Sequence, residues 1–389
     1  MRAVTPDRKW HTVPDALTHE TASYSVEFDG DPAAGLPRLR IDPLGRELPL
    51  RLESGRWRAD VDLAGIAPGR YTVGVSELVN GSYAPVDGRT AASELVLSAP
   101  LYVAWTLDFE GDAASDEAMA NTAAIADGLG LRMTIMWNPR VWTTTQVDAA
   151  RADAMLAWTK GRAARGDEVA LHLHAWTDFV RDAGVTPRTA PSWSGRSDGY
   201  DVPLTAFDEG ETRKLVDRAV ALMTAHGLAR PTTFRGGGLF ANAANLRAVA
   251  AAGFTVDTSG APAGAFGRLP LPWTLAKDAQ PYHPSASDAN AAGDLPLLEV
   301  PNIAGNTYGY TATSIQGTIR DDLAMLGPSG QVATARRALT LVSHPATIDD
   351  AERAAIEALF RAFEPYRYDR DAGPLRFVTL SELEKAYPR

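Results

Sequence analysis

The stretch Gly166-Asp-Glu-Val-Ala-Leu-His-Leu-His-Ala-Trp176 indicates both the fold and the chemistry of this chain. Its apolar residues 169–171 predict a buried strand, which ends at His172 and His174. Because the side chains of a strand alternate between its two faces, residues i and i+2 point the same way, about 6.6 Å apart along the backbone. Two imidazoles placed in this way can bind one metal ion at about 2.0–2.1 Å each.

A second pair of polar residues with the same spacing follows another apolar segment. Asp108 and Glu110 end a predicted strand over residues 101–107. Two strand ends that each carry two metal-binding side chains predict the two halves of one metal site. For each pair, a hydrogen-bonded set of polar residues at the rim of a strand remains the alternative.

The composition restricts the kinds of partner and ligand. The 389 residues include no cysteine, so thiolate ligands are excluded and a metal must bind to His, Asp or Glu. The net charge of −10, without a block of Lys and Arg, argues against nucleic acid as a partner.

No apolar stretch reaches about 18 residues, so no transmembrane segment is expected. Residues 1–10 do not resemble a signal peptide, so we expect a cytoplasmic protein unless export uses a segment outside this chain; the compartment stays open.

The predicted secondary structure changes near residue 99. Residues 1–98 contain short alternating strands separated by turn residues, which predicts a small all-β sandwich of immunoglobulin-like type with an accessory role. Residues 99–389 alternate strands with helices, which predicts an α/β domain with a parallel barrel or a doubly wound sheet. Long loops over residues 177–208 and 258–296 follow strands that carry candidate site residues, and we expect both loops to border the site.

Ionisable residues recur where the predicted parallel strands end. Active sites of parallel α/β barrels gather at this edge of the sheet, and a metal-assisted hydrolase needs metal ligands, a base, an acid and groups that orient them. The candidate residues are Asp108, Glu110, His172, His174, Arg235, Asp257 and His344.

Five segments in this order resemble the motifs of the polysaccharide deacetylase superfamily, carbohydrate esterase family four. The segments are Thr106-Leu-Asp-Phe-Glu-Gly111, Gly166-Asp-Glu-Val-Ala-Leu-His172, Phe234-Arg-Gly-Gly-Gly238, Phe254-Thr-Val-Asp257 and Leu341-Val-Ser-His-Pro345. The resemblance covers about residues 99–389 and implies a distorted (β/α) barrel of polysaccharide deacetylase type.

Two positions depart from the family pattern. The residue after the catalytic aspartate is usually a metal-binding aspartate, but here it is Phe109, and Glu110 one step on shares the strand face of Asp108. The family commonly spaces its metal histidines four apart, but Trp176 occupies that fourth position, so His174 is the substitute. The resulting His-X-His-X-Trp form resembles a variant branch of the superfamily.

The resemblance implies a role for each candidate residue. Glu110, His172 and His174 would hold a divalent metal, with Zn²⁺ expected first and Co²⁺, Ni²⁺ or Mn²⁺ as alternatives. Asp108 would be the general base, and His344 would protonate the leaving amine. Arg235 would keep Asp108 ionised and oriented, and Asp257 would support His344.

Two tryptophans near the motifs are candidate substrate-binding residues. Trp176 would border the metal site or stack on a sugar ring, and Trp273 would line the cleft from its loop; core packing is the alternative for both. The expected function is metal-dependent hydrolysis of an N-acyl or O-acyl group, with acetyl first, on a carbohydrate substrate. Hydrolysis of a non-sugar amide and non-catalytic carbohydrate binding remain alternatives, and no feature of the sequence predicts the oligomeric state.

Overall fold

A computed structural model describes residues 2–18, 20–28, 32, 36–85, 90–265, 269–307, 317, 320–321, 323–324 and 332–389. The chain divides into two compact units. The first comprises Met1–Leu101, Gly327–Arg337 and Phe363–Arg376, and the second comprises Tyr102–Leu326, Ala338–Ala362 and Phe377–Arg389. An accessory domain over residues 1–98 and a catalytic domain over residues 99–389 stay a prediction.

The N-terminal part of the first unit is all-β, as its alternating pattern predicts. Its strands are β1 (Arg2–Pro6), β2 (Trp10–Thr12), β3 (Thr21–Glu27), β4 (Arg38–Asp42), β5 (Arg46–Pro49), β6 (Arg51–Glu53), β7 (Arg56–Asp62), β8 (Gly69–Val79), β9 (Ser82–Pro85), β10 (Thr90–Ala91) and β11 (Ser93–Ser98). One sheet has the order β10-β1-β3-β7-β6, and the other has the order β2-β11-β8-β4-β5 with β9 beside β8.

Alternation along these strands builds the core of this unit. In β3, Ala22, Tyr24 and Val26 are buried while the residues between them are more exposed. They share one apolar cluster with Val73 and Val75 of β8 in the other sheet, as expected for two sheets packed face to face. The expected likeness to immunoglobulin domains stays a prediction.

The second unit contains a run of parallel strands. They are β12 (Leu101–Asp108), β13 (Thr134–Trp137), β14 (Glu168–Leu173), β15 (Thr233–Gly236), β16 (Val256–Asp257) and β17 (Leu298–Glu299), each paired in parallel with the next. A further strand, β18 (Arg337–Ser343), lies beside β12, and β19 is Leu375–Phe377. The predicted α/β class is confirmed.

The helices of this unit lie between or after its strands, and several begin at a residue whose side chain caps the first turn. They are α1 (Asp116–Leu129), α2 (Ala149–Ala163), α3 (Thr177–Asp182), α4 (Glu209–Ala225), α5 (Ala243–Ala251), α6 (Asp350–Ala362) and α7 (Leu380–Ala386). Ser115 caps the first turn of α1, and Gly130 ends that helix in the left-handed conformation. In the described part of the chain, no helix combines the length and the apolarity needed to cross a membrane.

Candidate metal centre and active site

The strand ends of the parallel sheet bring the predicted metal ligands together. Nε2 of His174 lies 2.5 Å from Oε2 of Glu110, and Nε2 of His172 lies 3.6 Å from the same oxygen. These separations bracket the spacing of about 3.3 Å expected between ligands of a tetrahedral ion bound at 2.0–2.1 Å. Both histidines are buried, because β14 lies inside the sheet. The i, i+2 spacing thus places both rings on one side of the strand.

Hydrogen bonds fix the orientation of each imidazole. Nδ1 of His172 lies 3.2 Å from the carbonyl of Arg235, its register partner on β15, and Nδ1 of His174 lies 2.7 Å from the carbonyl of Tyr200. A carbonyl oxygen only accepts, so Nδ1 carries the proton in both rings. In the neutral form, each Nε2 then presents a lone pair towards Glu110.

The atoms that face one another fit a bound cation. Among the described residues, Nε2 of His172 and Oε2 of Glu110 are buried without a hydrogen-bond partner. A lone pair that faces a carboxylate is repelled, and a divalent ion between them removes this repulsion and satisfies both atoms. When the rings of His174 and His172 are protonated instead, they hold the pKa of Glu110 well below the ordinary glutamate value against the effect of burial. The donor set therefore fits a metal.

Asp108 and Arg235 form a buried ion pair beside this cluster. Nη1 of Arg235 lies 2.5 Å from Oδ1 of Asp108 and also donates to the hydroxyl of Thr106. The other nitrogens of Arg235 donate to Thr258 and to the side chain of Asn302. Each nitrogen of the guanidinium therefore donates at least one hydrogen bond, which fixes its position. Oδ2 of Asp108 remains directed at the cluster, 3.9 Å from Nε2 of His172. The predicted pairing of Arg235 with Asp108 is present in the structure.

His344 reaches the same cluster from the loop that follows β18. Its Nε2 lies 3.0 Å from Oε1 of Glu110. The other oxygen of this carboxylate, Oε2, faces His172 and His174. Burial opposes protonation of His344, but its hydrogen bond to Glu110 and the charge of that carboxylate raise its pKa. Asp108, Glu110 and His344 form a second group whose ligand atoms are close enough to hold a metal.

Asp257 has partners that the sequence did not indicate. Its carboxylate accepts hydrogen bonds from the backbone and the hydroxyl of Ser259, and it pairs with the carboxyl of Glu299 at the end of β17. Burial and the charge of Asp257 raise the pKa of Glu299 well above its ordinary value. Within the described residues, no hydrogen bond joins Asp257 to His344, and its support of His344 stays a prediction.

The two tryptophans proposed to bind substrate donate hydrogen bonds to backbone around the site. Nε1 of Trp176 donates to the carbonyl of Glu110 at 2.9 Å, and Nε1 of Trp273 donates to the carbonyl of Leu239 at 2.7 Å. Both side chains are buried, and neither lines the cavity described below. The structure places both in the packing around the site, and their contact with substrate stays a prediction.

Arg140 is a buried residue near the site that the sequence did not single out. Its guanidinium lies over the ring of Trp176, donates to the carbonyl of Gly111 at 2.8 Å and makes two hydrogen bonds to Asp178. It therefore ties the loop that carries Glu110 to the helix that follows the two histidines. The sequence could have indicated Arg140 by its position just after β13, because the ionisable candidates also lie at or just after the ends of strands of this sheet.

A cavity of about 160 Å³ opens beside the cluster. Asp108, Glu110, His174 and His344 line one side. The remaining lining residues are Trp193, Tyr200, Gly238, Leu239, Leu269, Asn306 and Val342. The cavity thus has an ionisable side that carries the candidate chemistry and a mainly apolar and aromatic wall.

The glycine run after Arg235 allows the backbone to approach the site closely. A Cβ at Gly237 would lie 2.5 Å from Cγ and Nδ1 of His174, and a Cβ at Gly238 would lie 2.7 Å from the ring of Trp193. Gly238 also has a φ of +62°, which favours glycine. The run therefore serves close packing against the metal-site histidine and the cavity wall, as its composition suggests.

Comparisons with known proteins give matches among solved structures. No family model matches the chain, and no curated protein matches it. The chain is similar to a Mycobacterium smegmatis protein provisionally described as a polysaccharide deacetylase (16% identity, 75% of this chain and 93% of that chain, TM-score 0.48). It is similar to a family 4 carbohydrate esterase from Streptomyces lividans in complex with acetate (13%, 72% and 94%, TM-score 0.39). It is also similar to a family 4 acetyl xylan esterase from Clostridium thermocellum in complex with a cobalt ion (15%, 73% and 90%, TM-score 0.37).

These matches are to the superfamily whose motifs the sequence resembles. They do not test the His-X-His branch. Since the identities and the TM-scores are low, the chemistry of the site is interpreted from its own residues.

Proposed function

We propose that this chain is a metal-dependent hydrolase of the polysaccharide deacetylase superfamily that removes an acyl group, most simply acetyl, from a carbohydrate. One observation carries the proposal: two buried imidazoles with fixed tautomers and a buried carboxylate converge on one point, with an arginine-paired aspartate beside them. Structural polar networks satisfy their own hydrogen bonds, whereas two atoms of this one have no described partner.

Glu110, His172 and His174 would hold the metal. A divalent ion bound there would lower the pKa of a coordinated water and polarise the acyl carbonyl of the substrate. A set of two nitrogens and one oxygen suits Zn²⁺ and also accepts Co²⁺, Ni²⁺ or Mn²⁺. Both candidate groups of metal ligands contain Glu110, and we expect one metal ion per chain.

Asp108 would take the proton of the attacking water. Its Oδ1 is engaged by Arg235 at 2.5 Å, which leaves Oδ2 as the oxygen that faces the cluster. The ion pair fixes the direction of the carboxylate, which a general base needs. Arg235 is itself held by Thr106, Thr258 and Asn302, so the base has little freedom to turn away.

His344 would donate a proton to the leaving nitrogen. It lines the cavity on the same side as Asp108, so a substrate in the cavity meets both groups. A protonated imidazole at this position would be a general acid beside a leaving group bound in the cavity. The base would thus act on the attacking water, and the acid on the nitrogen that leaves when its bond to the acyl carbon breaks.

Metal content and product analysis test this function together. The purified protein should bind one Zn²⁺ per chain, and His172→Ala and His174→Ala should each lose it, as measured by elemental analysis after dialysis. The metal-loaded protein should release acetate from N-acetylated or O-acetylated oligosaccharides. A protein that takes up none of Zn²⁺, Co²⁺, Ni²⁺ or Mn²⁺ would overturn the proposal.

A further inference from the structure

We propose that residues 192–201 form the substrate-recognition loop of this site, with Trp193 as a stacking surface for one neutral saccharide ring. This inference rests on the proposed function and names the kind of substrate that the cavity accepts.

The indole of Trp193 is fixed in place before any substrate binds. One of its faces stacks on Phe240, with ring centroids 4.9 Å apart and an angle of 15° between the planes. The backbone of Gly238 lies directly against the ring, since a Cβ there would be 2.7 Å from it. The residue is nevertheless only half-buried and lines the cavity, so part of the ring is available to a ligand.

The loop around Trp193 is held by one buried carboxylate. Oδ2 of Asp201 accepts hydrogen bonds from the hydroxyls of Ser192 and Ser194 and from the backbone of Ser194 and Arg196. Burial opposes the ionisation of Asp201, but these hydrogen bonds lower its pKa to about 2. The turn that presents Trp193 therefore stays ordered at neutral pH, and a ring that stacks there loses little free energy to loop ordering.

An aromatic wall continues from Trp193 to the metal site. Tyr200 stacks on His174 with centroids 4.2 Å apart and planes 8° apart, and Trp193 lies 6.2 Å from each of these rings. The proposed stacking surface is therefore close to a proposed metal ligand. An acyl substituent on that sugar ring would reach the ionisable side of the cavity.

The described lining of the cavity offers no Lys or Arg side chain to an anionic ligand. Among the described residues that line it, the charged side chains are the carboxylates of Asp108 and Glu110 together with histidines, and none is Lys or Arg. Arg196 lies over the ring of Tyr200, but it is paired with Asp198 and does not line the cavity. A neutral sugar presents an apolar C–H face to an indole and no negative charge to these carboxylates.

Binding to a variant that does not turn over tests the inference. The probe is the tetramer of N-acetylglucosamine, titrated by calorimetry into the zinc-loaded Asp108→Asn protein. Adding Trp193→Ala should weaken binding about tenfold, whereas Trp193→Phe should stay within about threefold. Trp142→Ala is the matched control, because Trp142 is also half-buried and also stacks on another ring, that of His226, but does not line the cavity. This substitution should change tetramer binding by less than about twofold.

Each outcome decides one of the two proposals. Equal losses in the Trp193→Ala and Trp142→Ala proteins, no binding of the tetramer, or tighter binding of a galacturonate tetramer would overturn the recognition loop. If the zinc-loaded wild-type protein nevertheless releases acetate from an O-acetylated oligosaccharide, the proposed hydrolysis stands although the recognition loop has failed. If the protein retains no zinc but Trp193→Ala alone weakens tetramer binding, the hydrolysis fails and the recognition loop stands.

Discussion

Replacing Gly237 with alanine tests the geometry of the metal site with the smallest possible change. The φ angle of Gly237 lies outside the left-handed region, so alanine is compatible with the backbone. Its Cβ would nevertheless lie 2.5 Å from Cγ and Nδ1 of His174, where ordinary contacts begin at 3.4 Å. The imidazole must therefore retreat by about 1 Å. This retreat stretches its hydrogen bond to Tyr200 and moves Nε2 away from Glu110.

The size of the effect follows from these distances. Overpacking of this kind costs about 1–3 kcal/mol of folding free energy, which thermal unfolding in the presence of a chelator measures. A misplaced metal ligand should weaken zinc binding by about 10- to 100-fold, which competition with a chromophoric chelator measures. Gly237→Ala should thus remain folded but bind zinc poorly.

Gly161→Ala is the matched control for this variant. Gly161 lies in α2, and a Cβ there would meet nothing within 4 Å. The substitution should leave zinc affinity unchanged and stabilise the fold by about 0.5–1 kcal/mol. Zinc affinity in Gly237→Ala within twofold of the wild type would refute the placement of His174 in the metal site.

Three further predictions concern the base, the buried arginine and the carboxyl pair. Asp108→Asn should keep its zinc but lose at least about 10²-fold in kcat, measured by acetate release; normal turnover would refute its role as base. Arg140→Lys cannot make both hydrogen bonds to Asp178 and should weaken zinc binding about tenfold in the same chelator assay. Because the pKa of Glu299 is raised, the folded state binds its proton more tightly than the unfolded chain, so stability falls as the pH rises above the ordinary glutamate pKa of about 4.3. Glu299→Gln should flatten this fall in stability above about pH 4.3, measured by urea unfolding, and an unchanged slope would contradict the raised pKa of Glu299.

The order and type of the elements could largely be predicted from local sequence. Periodicity and capping residues indicate helices α1 and α4 almost to the residue, because these signals act within one turn. The short strands β1, β2, β9 and β10 have no comparable signal, since their pairing depends on distant partners. The metal-binding pairs could also be predicted, because the two-residue period of a strand fixes which side chains share a face.

What the sequence determined by itself is the set of ionisable residues at the strand ends and the absence of thiolate ligands. The tertiary structure alone decided which atoms of these residues meet. It turned Trp176 towards the carbonyl of Glu110, paired Asp257 with Glu299, and brought Trp193 and Tyr200 from a long loop to the wall of the cavity. The physical reason is the separation in sequence of the residues that interact. Spacing along a strand controls the direction of neighbouring side chains, whereas hydrogen bonds and ring contacts between distant segments depend on how the whole unit packs.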